Sequence, residues 1–161
     1  MTTDTSQLVF DLATLEDELA IKEMMLSMLL DLEEFRHDVK PTDRNVDVYW
    51  DVVFKTAILN EKHAIILVRD EGRPIAGIIV IPERSVIEMR ETRAVNYGIW
   101  VDPHYRRKGV ATALQEMAHR LMKNAGITCV VSTVMYTNTG GIQACRAVGG
   151  NPIAYMTEVR I

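Results

Sequence analysis

Val101-Asp-Pro-His-Tyr-Arg-Arg-Lys-Gly-Val-Ala-Thr-Ala-Leu114 is the stretch on which the reading of this chain turns. It joins a run of β-formers to the clearest helical pattern in the sequence. Asp102-Pro103 stops the strand, and Arg106, Arg107, Lys108 and Gly109 lead into a helix N-terminus. The first N–H groups of a helix have no intrahelical partner, and the helix dipole is positive there. Gly109 and Ala111 are small, so an anion's oxygens can approach the backbone closely. Preformed donors with three flanking cations are what a diphosphate requires. A charged turn ahead of an ordinary helix would use the same residue types. Two other phosphate motifs are excluded: Lys108 precedes the glycine, unlike the Walker pattern, and a dinucleotide fingerprint needs three glycines.

Working outward, Val110, Ala113, Leu114, Met117, Ala118, Leu121 and Met122 recur at helical spacing, and Gly126 closes that helix as a C-cap. The run before the turn, residues 93–101, reads as a strand in which Gly98 signals a bulge or a close backbone approach. Residues 63–69 and 75–81 form a hairpin around a turn at 70–74. Nearer the start, Leu8-Val9-Phe10 is a short strand. Leu15, Leu19, Met24, Met25, Met28, Leu32 and Phe35 then mark a long helix, opened by a capping-box pair, Thr14 and Asp17. A loop over 37–45 precedes a second helix carrying Val46, Tyr49, Trp50, Val53, Phe54 and Ala57. Downstream come a strand at 129–135, a short helix at 139–148 ended by Gly149-Gly150, and a last strand at 153–161. This order predicts an α+β domain around a mixed sheet.

The chain has 161 residues, enough for a single domain, 1–161, with a real core. Its 48% apolar and 25% charged residues are those of a soluble globular protein, which excludes a disordered, collagen-like or coiled-coil chain. No apolar run is long enough to cross a membrane, and the first residues lack a signal-peptide pattern. Cys129 and Cys145 are too few for a disulfide scaffold or a four-cysteine zinc site, so a reduced, cytoplasmic setting is expected. His37, His63, His104 and His119 show no ligand spacing, and no metal is expected. Residues 1–60 carry a net charge of −8 and residues 61–161 a net charge of +4. The basic residues gather at the turn and the total is −4, so nucleic acid is not an expected partner.

Arg106-x-x-Gly109-x-Ala111, preceded by Val101-x-Pro103, resembles the acyl-CoA signature of the GNAT superfamily of N-acetyltransferases, Gln/Arg-x-x-Gly-x-Gly/Ala. The order of elements from Leu8 to Ile161 also follows the GNAT fold, so the resemblance covers nearly the whole chain. It implies a mixed central sheet with splayed strands, flanked by about four helices. It implies acetyl-CoA as the acyl donor. The backbone of Ile99, Trp100 and Val101 would pair with the pantetheine arm, as an added strand would. Arg107, Lys108, Gly109, Val110, Ala111 and Thr112 would wrap the pyrophosphate, with Arg106 opening the signature. Asn138 matches an Asn that often contacts the cofactor; it would serve equally as a helix N-cap. The implied reaction is direct attack of a primary amine on the thioester within a ternary complex. A base takes a proton from the ammonium, an acid protonates the departing thiolate, and backbone N–H groups polarise the carbonyl.

The sequence departs from the family where protons are handled. Cys145 stands seven residues after Asn138, where many members have a Tyr acid. A thiol, with a reference pKa of about 8.5, can protonate a thiolate; a small apolar residue on an inner helix face would look the same. No acidic residue lies between Thr92 and Val101, where the usual Glu base is expected. Asn96 and Tyr97 are not strong bases, so Glu91, its neighbour Glu88 or a water chain is left for that role. Tyr97 stays a catalytic candidate, and Tyr136 or Tyr155 could replace Cys145 as the acid. The family builds much of its acceptor site from the first two helices, which here carry Asp31, Glu33, Glu34, Asp38, Asp43, Asp47 and Asp51. A small-molecule or peptide amine with a positive charge would suit them; so would a role as solubilising surface. Dimers are common in the family. Two further readings stay open: a weak or inactive acyl-CoA-binding regulatory module, and an interaction protein using Met24, Met25 and Met28.

Overall fold

Two long runs of Ile and Val place the centre of the sheet at residues 64–83. In a computed structural model of the chain, residues 8–33, 43–61, 63–83, 92–135 and 137–151 are described. Strand β2 (Ala64–Asp70) and strand β3 (Arg73–Glu83) form an antiparallel hairpin. Its tight turn uses Glu71 and Gly72, both left-handed with φ of 48° and 82°, the geometry that matches strand twist. Successive side chains face opposite sides of the sheet. Ile66, Val68, Ile78 and Val80 enter one core cluster, and Ile65, Leu67, Ile79 and Ile81 enter the other. Both faces are covered, so these strands read as continuous apolar runs instead of alternating ones.

Strand β1 (Val9–Leu12) extends the sheet beyond β2, and β4 (Arg93–Val101) extends it beyond β3, all antiparallel. Strand β5 (Cys129–Ser132) lies parallel to β4, giving the order β1-β2-β3-β4-β5. A parallel neighbour needs a crossover, which helix α4 (Val110–Asn124) supplies. Val110, Leu114, Ala118 and Met122 carry its buried stripe into the first cluster.

The opposite face is covered by α1 (Glu18–Glu33) and the segment that follows it. A 3-10 turn at Leu15–Asp17 precedes α1 and holds the anticipated capping box. Thr14 N–H donates to Asp17 Oδ2 at 2.9 Å, and Thr14 Oγ1 accepts from Glu16 N–H at 3.3 Å. Arg69 on β2 also reaches Asp17 at 2.5 Å, tying the helix start to the sheet. Met24 and Met25 are buried, and α1 lies so close that a Cβ at Gly77 would fall 2.3 Å from Met24 Sδ. Met24 and Met25 are therefore core and Met28 packs partly buried against it, so the stripe does not form the open surface that the interaction-protein reading needs. The second helix starts at Asp43, inside the stretch expected to be loop. It runs as α2 (Asp43–Tyr49), a π-helical segment (Trp50–Phe54) and α3 (Lys55–Leu59). Trp50 and Phe54 are 2% and 1% exposed, and the wider π turn seats both in the core.

Helix α5 (Thr139–Ala147) follows β5. The last expected strand, 153–161, lies outside the described residues, as do Phe35, Glu34, Asp38, Tyr136 and Tyr155. No helix among the described residues is long and apolar enough to cross a membrane.

Stability should fall in acid in two stages. Burial lowers the pKa of His63 and His119, so both stay neutral when folded; the unfolded chain takes up protons first, and stability drops below the usual value of 6.5. For Asp17, burial pushes the carboxyl up, but the Thr14 N–H and the Arg69 guanidinium outweigh it and hold it low. Its contribution is present above 3.8 and is lost as pH falls through the lower folded value. Urea unfolding measured against pH should show both stages. Asp17→Asn should remove part of the second alone; an unchanged acid limb in that variant would refute the assignment.

Candidate active site

Strand β4 is bent by a bulge. Ile79 pairs with Gly98 and Val80 with Asn96, which leaves Tyr97 as the extra residue. A bulge bends its strand and ends regular pairing. Gly98 is the close approach that its position suggested: a Cβ there would lie 2.2 Å from Met28 Sδ on α1. Parallel pairing with β5 stops at Asn96 and Ser132. Residues 133–135 keep a β-forming sequence but have left their partner, so β5 is shorter than its composition predicts. Past this point β4 and β5 diverge and a cleft of about 690 Å³ opens between them. Its walls include Tyr97, Ile99 and Trp100 from β4, residues 132–135, the first turn of α4 and the inner side of α5.

The turn before α4 is held at three points. Asp102 is 6% exposed; it accepts from His104 N–H at 2.9 Å and from Arg73 at 3.0 Å. Burial pushes its carboxyl up, but the His104 hydrogen bonds and the Arg73 charge more than offset this and leave it low. The Tyr105 hydroxyl donates to Asp70 at the end of β2, and Lys108 sits over the Tyr105 ring at 5.3 Å. Arg106 donates from Nε to the Val101 carbonyl at 2.8 Å and from Nη2 to Asp31 on α1 at 2.6 Å.

Two left-handed residues then coil the chain tightly: Arg107 with φ of 63° and Gly109 with φ of 82°. The first intrahelical bond runs from Ala113 N–H to the Gly109 carbonyl at 3.0 Å. The N–H groups of Val110, Ala111 and Thr112 therefore lack helical acceptors, and Gly109 offers no side-chain cap. All three residues line the cleft. This is a positive, uncapped helix end that faces a cavity and is flanked by Arg107. It can hold an anion.

A family model described as the acetyltransferase (GNAT) family matches residues 26–149, more than half of the chain. The chain belongs to this family. GNAT proteins take acetyl-CoA as acyl donor. Solved structures agree in fold. A predicted acetyltransferase with acetyl-CoA from Clostridium acetobutylicum superposes with a TM-score of 0.74 at 12% identity, covering 95% of this chain and 96% of that one. AAC(6')-Iy, in complex with the bisubstrate analog CoA-S-monomethyl-acetylneamine, gives 0.73 at 15% identity, covering 97% and 99%. An aminoglycoside acetyltransferase from an uncultured soil metagenomic sample, in complex with sisomicin, gives 0.66 at 12% identity, covering 96% and 94%. A search of curated protein sequences finds no match.

Within this GNAT fold the residues singled out by sequence divide into groups. Ile99, Trp100, Val101, Arg106, Arg107, Gly109, Val110, Ala111, Thr112 and Asn138 share the cleft wall. Lys108 is not on that wall; it lies over Tyr105. Arg106 is on the wall, but two of its donors are committed to Val101 and Asp31. The Asn138 side chain caps α5, accepting from Gly141 N–H at 2.8 Å. Cys145 and Tyr97 both line the cleft. Burial pushes the Cys145 thiol up. Burial, reinforced by the carboxylate of Glu83, pushes Tyr97 up to about 12, and the Tyr97 hydroxyl donates to Glu83. Glu91 and Glu88 lie outside the described residues.

Of the acidic set, only Asp31 reaches the cleft wall among the described residues, and it is paired with Arg106. Asp47 is instead bound to Lys22 at 2.8 Å. Asn96, set aside in the sequence as a weak base, is on the wall, and so is Gln115, which sequence reasoning passed over. Asn96 accepts the Gly98 N–H at 3.0 Å through Oδ1. Gln115 had a signal. Ala111, Gln115, Ala118 and Met122 fall at +4, +7 and +11, which puts a polar residue on an apolar helical stripe. No group of three metal-ligating side chains occurs among the described residues.

Proposed function

We propose that this GNAT domain, residues 1–161, is an acetyl-CoA-dependent N-acetyltransferase that moves an acetyl group to a primary amine by direct attack in a ternary complex. The observation that carries the reading is the uncapped α4 N-terminus opening onto the cleft between β4 and β5. The site fits the donor in shape and charge. The N–H groups of Val110, Ala111 and Thr112 and the side chain of Arg107 would hold the diphosphate. The unpartnered edge of β4 at 97–101 would pair with the amide-bearing arm. Acetyl-CoA supplies an acyl group activated as a thioester.

Tyr97 and Cys145 both keep their protons at neutral pH, given the direction of their shifts. Cys145 would offer its proton to a leaving thiolate; Tyr97 would do so only by releasing its hydrogen bond to Glu83, and neither would take a proton from an ammonium. Proton removal from the amine would fall to Glu91, to Glu83 beside Tyr97, or to water. Asp31, at the wall on the α1 side, would face the acceptor, and a cationic amine fits its charge. One observation favours the alternative of a weak or inactive acyl-CoA-binding module. Asp31 is the single carboxylate on the wall among the described residues, and it is already paired.

Thermal unfolding with and without saturating acetyl-CoA, and with CoA alone, tests the donor site. A ligand at about 100 times its Kd adds roughly 2.7 kcal/mol, which is on the order of several degrees for a chain of this size. A panel of amines with thiol-release detection then separates the two readings. Binding with no thiol release from any amine would leave the module. No thermal shift with either ligand would overturn both.

A further inference from the structure

Gln115 is buried on the cleft wall with an unmet hydrogen-bond donor. The residue is 2% exposed, and its Nε2 has no hydrogen-bond partner. It stands on α4 beside Ala111 and Thr112, and Ser132, Thr133 and Val134 also line the cleft. A buried amide without a partner is destabilising, because its hydration is lost and nothing replaces it. Its neighbours along the stripe, Ala118 and Met122, are apolar and buried. Leu or Met at position 115 would continue that stripe without the cost.

We propose that Gln115 Nε2 donates a hydrogen bond to an amide carbonyl of the pantetheine arm of the bound acyl-CoA. This rests on the donor site proposed above. Placement selects the arm over the two ends of the ligand. Gln115 is six residues beyond Gly109, about 9 Å down the helix axis from the amides that face the diphosphate. It therefore stands away from the helix end, on a wall it shares with Asn96 and Ser132, the last paired residues of β4 and β5. The arm carries two amides, both good acceptors, whereas a thioester carbonyl is a weaker one. Gln115 thus recognises the part of the donor common to CoA and acetyl-CoA, and it does not distinguish between acyl groups.

The test is calorimetric titration of the full chain and of Gln115→Leu and Gln115→Met. The ligands are CoA, acetyl-CoA and adenosine 3′,5′-bisphosphate, which keeps the nucleotide end and lacks the arm. Both variants should bind CoA and acetyl-CoA about tenfold more weakly, since the carbonyl is left unpaired. Their affinity for the bisphosphate should be unchanged, and their melting temperatures without ligand should be equal to or above the parent's. Unchanged CoA affinity in the folded variants would overturn the assignment while leaving the donor site intact. An equal loss for all three ligands would also overturn it, because the damage would then lie at the helix end. If the parent protein binds neither CoA nor acetyl-CoA, the donor site itself fails, and this inference with it.

Discussion

Gly109→Ala is expected to fold yet to bind acetyl-CoA at least about tenfold more weakly, a change of about 1.4 kcal/mol. The residue has φ of 82°, where a side chain is strained, although a Cβ would meet nothing within 4 Å. Relief of the strain requires the backbone to rotate. The rotation swings the N–H groups of Val110, Ala111 and Thr112 away from the point on which they converge. Gly72, in the hairpin between β2 and β3, is the matched control: it has the same φ of 82° and the same open space, but lies outside the cleft. Each alanine should cost about 1–2 kcal/mol in left-handed strain, or about 2–8 °C in melting temperature. Only Gly109→Ala should weaken the ligand. If both variants lose stability and both bind acetyl-CoA like the parent, the α4 N-terminus is not the anion site.

The sequence made the frame legible because local rules and tertiary context agree there. The bounds of β4 and the start of α4 were readable from one strand stop, one glycine and one apolar stripe. The capping box at Thr14 and Asp17 was equally local. What stayed hidden depends on partners distant in the chain. Residues 129–135 look like one strand; only the bulge at Tyr97 decides that pairing ends at Ser132. Arg106 looks like a phosphate ligand until Asp31, 75 residues away, is brought to it. Lys108 looks the same until the ring of Tyr105 is placed beneath it. The π turn at Trp50–Phe54 has no local signature, since it serves to seat two large rings in a core built by other strands. Glu83 was invisible as a partner of Tyr97, because antiparallel pairing of β3 with β4 is what joins them.

That last pairing makes Phe54 a position where core and site can be perturbed together. Phe54 is 1% exposed and meets the Tyr97 ring edge-on, with centroids 6.1 Å apart. Phe54→Ala should cost about 3–5 kcal/mol in lost burial and residual cavity, or roughly 6–20 °C in melting temperature. It should also admit water to Tyr97. Burial is the largest cause of the rise of Tyr97 to about 12, so its hydroxyl should then titrate closer to the usual 10.0. Glu83 remains in place and keeps part of the shift. The sign of the linked stability follows. A folded value above the unfolded one stabilises below pH 10.0, and the gain is lost as pH rises through the folded value. The parent should therefore lose stability on the alkaline side, and Phe54→Ala should lose less. Tyrosinate absorbance, referenced to a Tyr97→Phe variant, isolates this hydroxyl from the other four tyrosines of the chain. Phe54→Leu, which keeps most of the volume, should lose less stability and leave the titration nearer the parent's. A loss below about 1 kcal/mol in Phe54→Ala, with Tyr97 still at its parent value, would mean that the π segment does not shield the cleft. The hydroxyl would then owe its retained proton to Glu83 alone.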